Sequence, residues 1–345
     1  GGGYNTFIDI LKGICILFVV LTHYKWSPEQ RLKYGFPFWI NMAVPIFMVI
    51  SGYVYTSSCE RNRIISFTDY YKLNFFLPKL LRFFIPFCVA FSFEIYMKWI
   101  TVGKLSFRYI EMTFWEGGTG GPGTYYIPVM LQFCLFFPLI YFMVKKFSFI
   151  GFCLCFISNV CYEYFHVMYR LSEPLYSYLF FRYVSVVAFG CWLSLNQKKK
   201  IRWYVLSASF ITGILFLILH TYLGKPSYIF RDWTSTSCIS TLYILPVCYF
   251  LLRRGNENFL LLEILGKASF NIYLVQVLFY LFFADKVYTI TDATLLALLI
   301  NEFVCCGVGV IFWFVESFVT KTINSKLRSL SCPKIAKLNC FFSYE

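Results

Sequence analysis

Charge is scarce in this sequence. Lysine, arginine, aspartate and glutamate make up 14% of its 345 residues, where soluble domains carry about 25%. Acids are the scarcer half, 17 against 31 bases, for a formal net charge of +14. There are only three histidines. None of the fourteen cysteines sits in a Cys-x-x-Cys pair, so zinc-site spacing is missing. No Gly-x-Ser-x-Gly elbow occurs, which argues against a serine hydrolase. The glycine-rich stretch "EGGTGGPGTYY", 116–126, is followed by no Gly-Lys-Ser/Thr and is therefore not a P-loop. No internal repeat supports an inverted-repeat transporter. No basic stretch forms a domain of its own, so the positive charge is not read as nucleic-acid binding.

Apolar residues fill the space that charge leaves. They account for 59% of the chain, and mean hydropathy is +0.65. The pattern predicts an all-α, polytopic membrane bundle of about ten transmembrane helices. The candidate spans are 7–24, 36–55, 75–97, 125–144, 147–168, 178–195, 203–222, 234–252, 268–284 and 294–318. If these alternate in direction, "SSCERNR", "KK" (145–146), "NQKKKIR", "RRGNEN" and a basic tail share one side. The other side has fewer bases, mixed with acids. The positive-inside rule then places both termini in the cytoplasm and makes membrane lipids the first partners. The opening Gly-Gly-Gly without Met reads as an appended or trimmed end, and the first apolar run, lacking an Ala-x-Ala-like cleavage site, as a retained helix. Most cysteines lie in apolar runs, where they act as small hydrophobes. Cys59, Cys332 and Cys340 fall on the expected cytoplasmic side, so neither disulfides nor a bound metal are expected. The loop 116–126 has two readings, a flexible linker or a mobile loop beside a substrate site.

The first span, "IDILKGICILFVVLTHYKW", carries Asp9, Lys12 and His23. At about 100° per residue, Lys12 and His23 point within roughly 20° of each other, and Asp9 within roughly 40° of His23. All three therefore share one face, and Asp9 and Lys12 can pair at i,i+3. A polar face inside a membrane points to a bundle interior or a wet cavity. Along the axis Lys12 and His23 are about 16 Å apart. They cannot form a local dyad, so whatever orients the imidazole comes from another helix. The alternative is an interfacial anchor, His23 preceding Tyr24, Lys25 and Trp26.

Four stretches, in order along the chain, resemble the bacterial integral-membrane acyltransferases of acyltransferase family 3. They are "YNTFIDILKGICILFVVLTHYKW", "VPIFMVISGYVY", "LPKLLRFFIPF" and "LGKASFNIYLVQVLF", and "GPGTYYIPVMLQF" resembles the family's aromatic turn into a central helix. Lys12 and His23 hold the family's spacing of a basic residue, ten others and His, and Arg82 holds its basic-then-Pro position. The chain departs from the family in having Lys12 where Arg is usual, which removes a bidentate fork. It also has Gln276 where His is frequent. The resemblance implies a membrane acyltransferase domain over 4–318 with a basic cytoplasmic tail, 319–345. It implies transfer of an acyl group, commonly acetyl, from cytoplasmic acyl-CoA to a hydroxyl of a cell-surface glycan or its lipid-linked precursor, in a bacterial inner membrane. Acetyl-CoA would be a donor substrate, with no permanently bound cofactor.

Chemistry assigns roles under that reading. His23 is the catalytic base, since a neutral imidazole is available near neutral pH, acting directly or through a relay by an acyl-imidazole or an acylated carrier. Lys12 and Arg82 suit the donor's phosphates; their alternative role is snorkelling to head groups. Asp9, Asn41, Ser51, Tyr53, Tyr126 and Tyr273 are supporting or oxyanion candidates by residue type. Gly52 is expected to permit close helix packing. The competing function is a transporter or flippase for lipid-linked saccharides, which intramembrane charge and proline-broken helices suit equally well.

Overall fold

Apolar runs of this length satisfy their backbone polar groups within helices when no water is at hand. Among its described residues, the computed structural model accordingly contains sixteen α-helices and no strand. It describes residues 5–331 apart from 119, 170–172, 225–235, 256 and 292. Cys332, Cys340 and the end of the basic tail lie outside the described residues, as do loop position 119 and the first residues of the 234–252 segment. In chain order the helices are α1 Phe7–Thr22, α2 Pro28–Lys33, α3 Ala43–Arg61, α4 Phe67–Tyr70, α5 Leu73–Val102, α6 Phe107–Trp115, α7 Tyr126–Phe147 and α8 Phe149–Met168. There follow α9 Glu173–Tyr178, α10 Val184–Leu195, α11 Trp203–Leu217, α12 Ile244–Leu251, α13 Leu260–Lys267, α14 Ser269–Phe282, α15 Ala284–Ile290 and α16 Thr294–Ser331.

Each of the ten expected segments falls on a helix, but the count of ten spans is not reproduced in length. Among the described residues, six helices are long and apolar enough to cross a membrane, and α13 with α14 makes a seventh if that pair, bent by 70°, counts as one span. The short ones are α1, with 16 residues, α10 and α12. Their position explains this. Every residue of α10 from Val184 to Leu193 is buried, so protein rather than lipid surrounds it. The long outer helices α5, α8, α11 and α16 leave most of their apolar windows uncovered.

Close backbone contact holds the centre. A β-carbon on Gly52 of α3 would overlap the Val187 carbonyl of α10, and one on Gly190 of α10 would overlap the Val49 carbonyl of α3. The expectation for Gly52 is met, with a reciprocal partner the sequence did not announce. Gly13 of α1 and Gly266 of α13 form a second such crossing, each against the other helix's backbone.

The basic connections gather at one end of the bundle. Asn5 Nδ2 donates to Arg254 O (3.1 Å), the Arg253 guanidinium to Lys199 O, and Gln197 Nε2 to Tyr53 Oη (3.0 Å). Lys145 Nζ lies 2.7 Å from Glu60 Oε1. At the opposite end Arg31 bonds Thr22 O, Tyr222 bonds Leu32 O and Lys25 lies 3.9 Å from Asp285.

Candidate active site

The polar face of α1 opens on a cavity of about 140 Å³. Lys12 lines one end of it and His23 the other, with Ile16, Val19, Phe47 and Ile50 in the walls between. Their helix positions set these ends about 16 Å apart. Residues from α1, α3, α5, α7, α14 and α16 contribute to the wall.

The Lys12 end is cationic. Lys12 Nζ donates to Asp9 Oδ1 at 3.1 Å, and the Asp9 carboxylate behind it is buried. Lys12 feels Arg82 and Lys267 as like charges. Both line the cavity, together with one carboxylate, Glu316. Lys267 lies 3.9 Å from Glu263, one turn back on α13. Arg82 is exposed and forms no hydrogen bond or ion pair with any described residue. An unpaired guanidinium beside two lysines favours a bound anion.

The His23 end is built by packing rather than charge. His23 caps the C-terminus of α1. Its ring meets the Tyr280 ring of α14 edge to face, centroids 6.1 Å apart. Tyr280 Oη donates to Val20 O (3.0 Å) and accepts from Asn301 Nδ2 of α16 (3.3 Å). The glycine-rich loop supplies the opposite wall. Tyr273 Oη donates to Gly123 O (2.6 Å), and Gln276 Nε2 donates to Pro122 O (3.4 Å). Gly123 sits at φ +92°, a left-handed conformation that needs glycine, and a β-carbon there would stand 3.6 Å from His23 Nε2. The described part of this loop is thus anchored beside the imidazole. Among the described residues no carboxylate bonds the His23 ring, so the arrangement is not a triad.

Of the supporting residues expected from sequence, Ser51, Tyr126 and Tyr273 line the cavity. The Tyr273 hydroxyl is committed to the loop, whereas those of Ser51 and Tyr126 bond no described residue and can meet a ligand. Asn41 and Tyr53 are not in the wall. Tyr53 points elsewhere, its hydroxyl accepting from Gln197 Nε2. Asn41 lies before α3, its backbone N–H bonded to Phe36 O. Lys267, Asn271, Tyr280 and Asn301 were missed. Lys267 and Asn271 lie inside "LGKASFNIYLVQVLF", where a basic residue just ahead of a helix was the available signal.

Two further buried charges, Arg182 and Glu163, form a cluster of their own. Arg182 is buried among Tyr125, Tyr176 and Tyr183 and donates to Thr236 Oγ1 (2.5 Å). Glu163 accepts from Cys238 N (2.8 Å) and Asn159 Nδ2 (3.4 Å).

A family model described as an acyltransferase domain matches residues 5–315, from the start of α1 well into α16. No curated protein and no solved structure matches the chain.

Proposed function

Since the chain belongs to that acyltransferase family, we propose that this membrane acyltransferase moves an acyl group, acetyl in the first instance, from acyl-CoA to a sugar hydroxyl, with His23 as the base. One observation carries the reading: a single cavity has cations at one end and an imidazole at the other. Lys12, Arg82 and Lys267 suit the donor's phosphates. The thioester arm then lies along the apolar wall, with its carbonyl beside His23.

The acceptor hydroxyl attacks the thioester carbon while a ring nitrogen of His23 takes its proton. A C–O bond forms and the C–S bond breaks. The imidazolium returns the proton to the leaving thiolate, giving ester and free CoA. The hydroxyls of Ser51 and Tyr126 are the donors available to the oxyanion. Tyr280, Asn301 and the Gly123 loop hold the ring in place, a task that falls elsewhere to a carboxylate. The acceptor class is a cell-surface glycan or its lipid-linked precursor, in the inner membrane of a bacterium, with the cation end facing the cytoplasm.

The test is acyl transfer from labelled acetyl-CoA in reconstituted vesicles, with mass analysis of glycans from cells carrying either form. His23→Gln keeps the size of the side chain and a donor but not the base. It is expected to remain folded and lose 10²–10⁴-fold in rate. Full transfer by His23→Gln overturns the assignment.

A further inference from the structure

Asn271 is a polar group at the cation end that the reading above does not use. It lies in the first turn of α14, four residues past Lys267 and two before Tyr273, and lines the same cavity. It is 4% exposed, and its Nδ2 is buried with no hydrogen-bond partner among the described residues. A buried amide donor left unpaired lowers stability, and native structures keep few of them. The neighbouring wall is apolar, with Phe83 and Phe270 closest in sequence to the site's cations and to Asn271. The protein therefore tolerates an unsatisfied amide beside the cations that suit a phosphate.

Resting on the proposed function, we infer that Asn271 is a donor-binding residue, pairing its side-chain amide with an amide of the pantetheine arm of the acyl-CoA. The chemistry matches in order. Beyond its phosphates the donor carries two amides and then the thioester. The cavity offers cations, then Asn271, then the apolar wall and His23. A side-chain amide presents a donor and an acceptor, as does a peptide-like amide in the arm, so the pair satisfies both. A phosphate has only acceptors and is already served by three cations. The cavity would thus select pantetheine thioesters over acyl donors without that arm, such as acyl phosphates.

The experiment compares binding of two probes to detergent-solubilised full-length protein: CoA, and the phosphorylated ADP half of CoA that lacks the arm. Asn271→Leu is expected to weaken CoA roughly tenfold, the size of one hydrogen bond in a dry site, and to leave the arm-less nucleotide unchanged. The KM for acetyl-CoA should rise in step while kcat stays near wild type, because the residue is remote from the reacting carbon. Thermal unfolding of the ligand-free variant should be no lower than that of wild type, since an unpaired polar group has been removed. Asn271→Ala, which cannot overfill the wall, must show the same split between probes. Equal loss for both probes, or loss for neither, overturns the inference and leaves the proposed function standing. A wild-type protein that binds neither probe and transfers nothing overturns both.

Discussion

Tyr280 gives His23 a ring edge where a charged partner would be the commoner arrangement. An edge-to-face pair contributes about 0.5–1.5 kcal/mol beyond burial, enough to fix a rotamer. Tyr280→Phe keeps the ring and loses the hydrogen bonds to Val20 and Asn301, so a fall of a few-fold in kcat is expected. Tyr280→Ala frees the imidazole and should lower kcat by about 10²-fold, the usual effect of misplacing a reacting group by about an ångström. The KM for acyl-CoA should not move in either, and that split separates positioning from general damage. At this scale the sequence was legible where the rule is local. Helical phase put Asp9, Lys12 and His23 on one face without knowledge of any other helix. Tyr280 was not legible, because it reaches His23 from more than 250 positions away in the chain and no local period encodes that contact; Asn301 touches Tyr280 and was hidden with it.

The bend between α13 and α14 decides which residues face the cation end of the cavity. Helix α13 packs antiparallel to the first turns of α1: Gly266 abuts Asp9 and Leu262 abuts Gly13. The chain then turns by 70° at Ala268 and rises as α14. This elbow holds Lys267 at the mouth and presents Asn271 to the wall. A β-carbon at Gly266 would penetrate the backbone of α1 itself, which has no side-chain freedom with which to yield. Gly266→Leu is therefore expected to push α13 away, at a stability loss of about 1–3 kcal/mol or more. Both thermal unfolding and CoA affinity should fall, because Lys267 moves with the helix. Unchanged affinity in a folded Gly266→Leu protein would remove the elbow from the site. The elbow was hidden in the sequence because Gly-Lys-Ala-Ser reads as a span boundary, and the 268–284 span was placed beyond it. The short helices were hidden for a related reason. Span prediction assumes lipid contact, and α10 has none to satisfy.

An unequal share of basic residues at its two ends gives the whole molecule a direction. Arg61, Arg63, Lys198–Lys200 and Arg254 are exposed at the end where α1 begins, and Lys25, Arg31 and Lys33 at the other. Hydrogen bonds from Asn5 to Arg254 and from Arg253 to Lys199 tie the first group together, which is what alternating spans require. Because cytoplasmic loops hold the excess of Lys and Arg, the proposed orientation has the cation end of the cavity facing inward and His23 toward the outside. Trypsin reads this directly in sealed vesicles of known sidedness. Added to inverted vesicles, it should cut at Lys198–Lys200 and Arg61–Arg63 and spare 25–33. Added to right-side-out vesicles, it should cut within 25–33 and spare the others. Acyl-CoA should then support transfer only from the face on which Lys198–Lys200 is cut, since the phosphates cannot cross the apolar stretch between Lys12 and His23. Cleavage of both groups from one side, or transfer fed equally well from either face, would contradict a donor entering at one end and an acceptor waiting at the other.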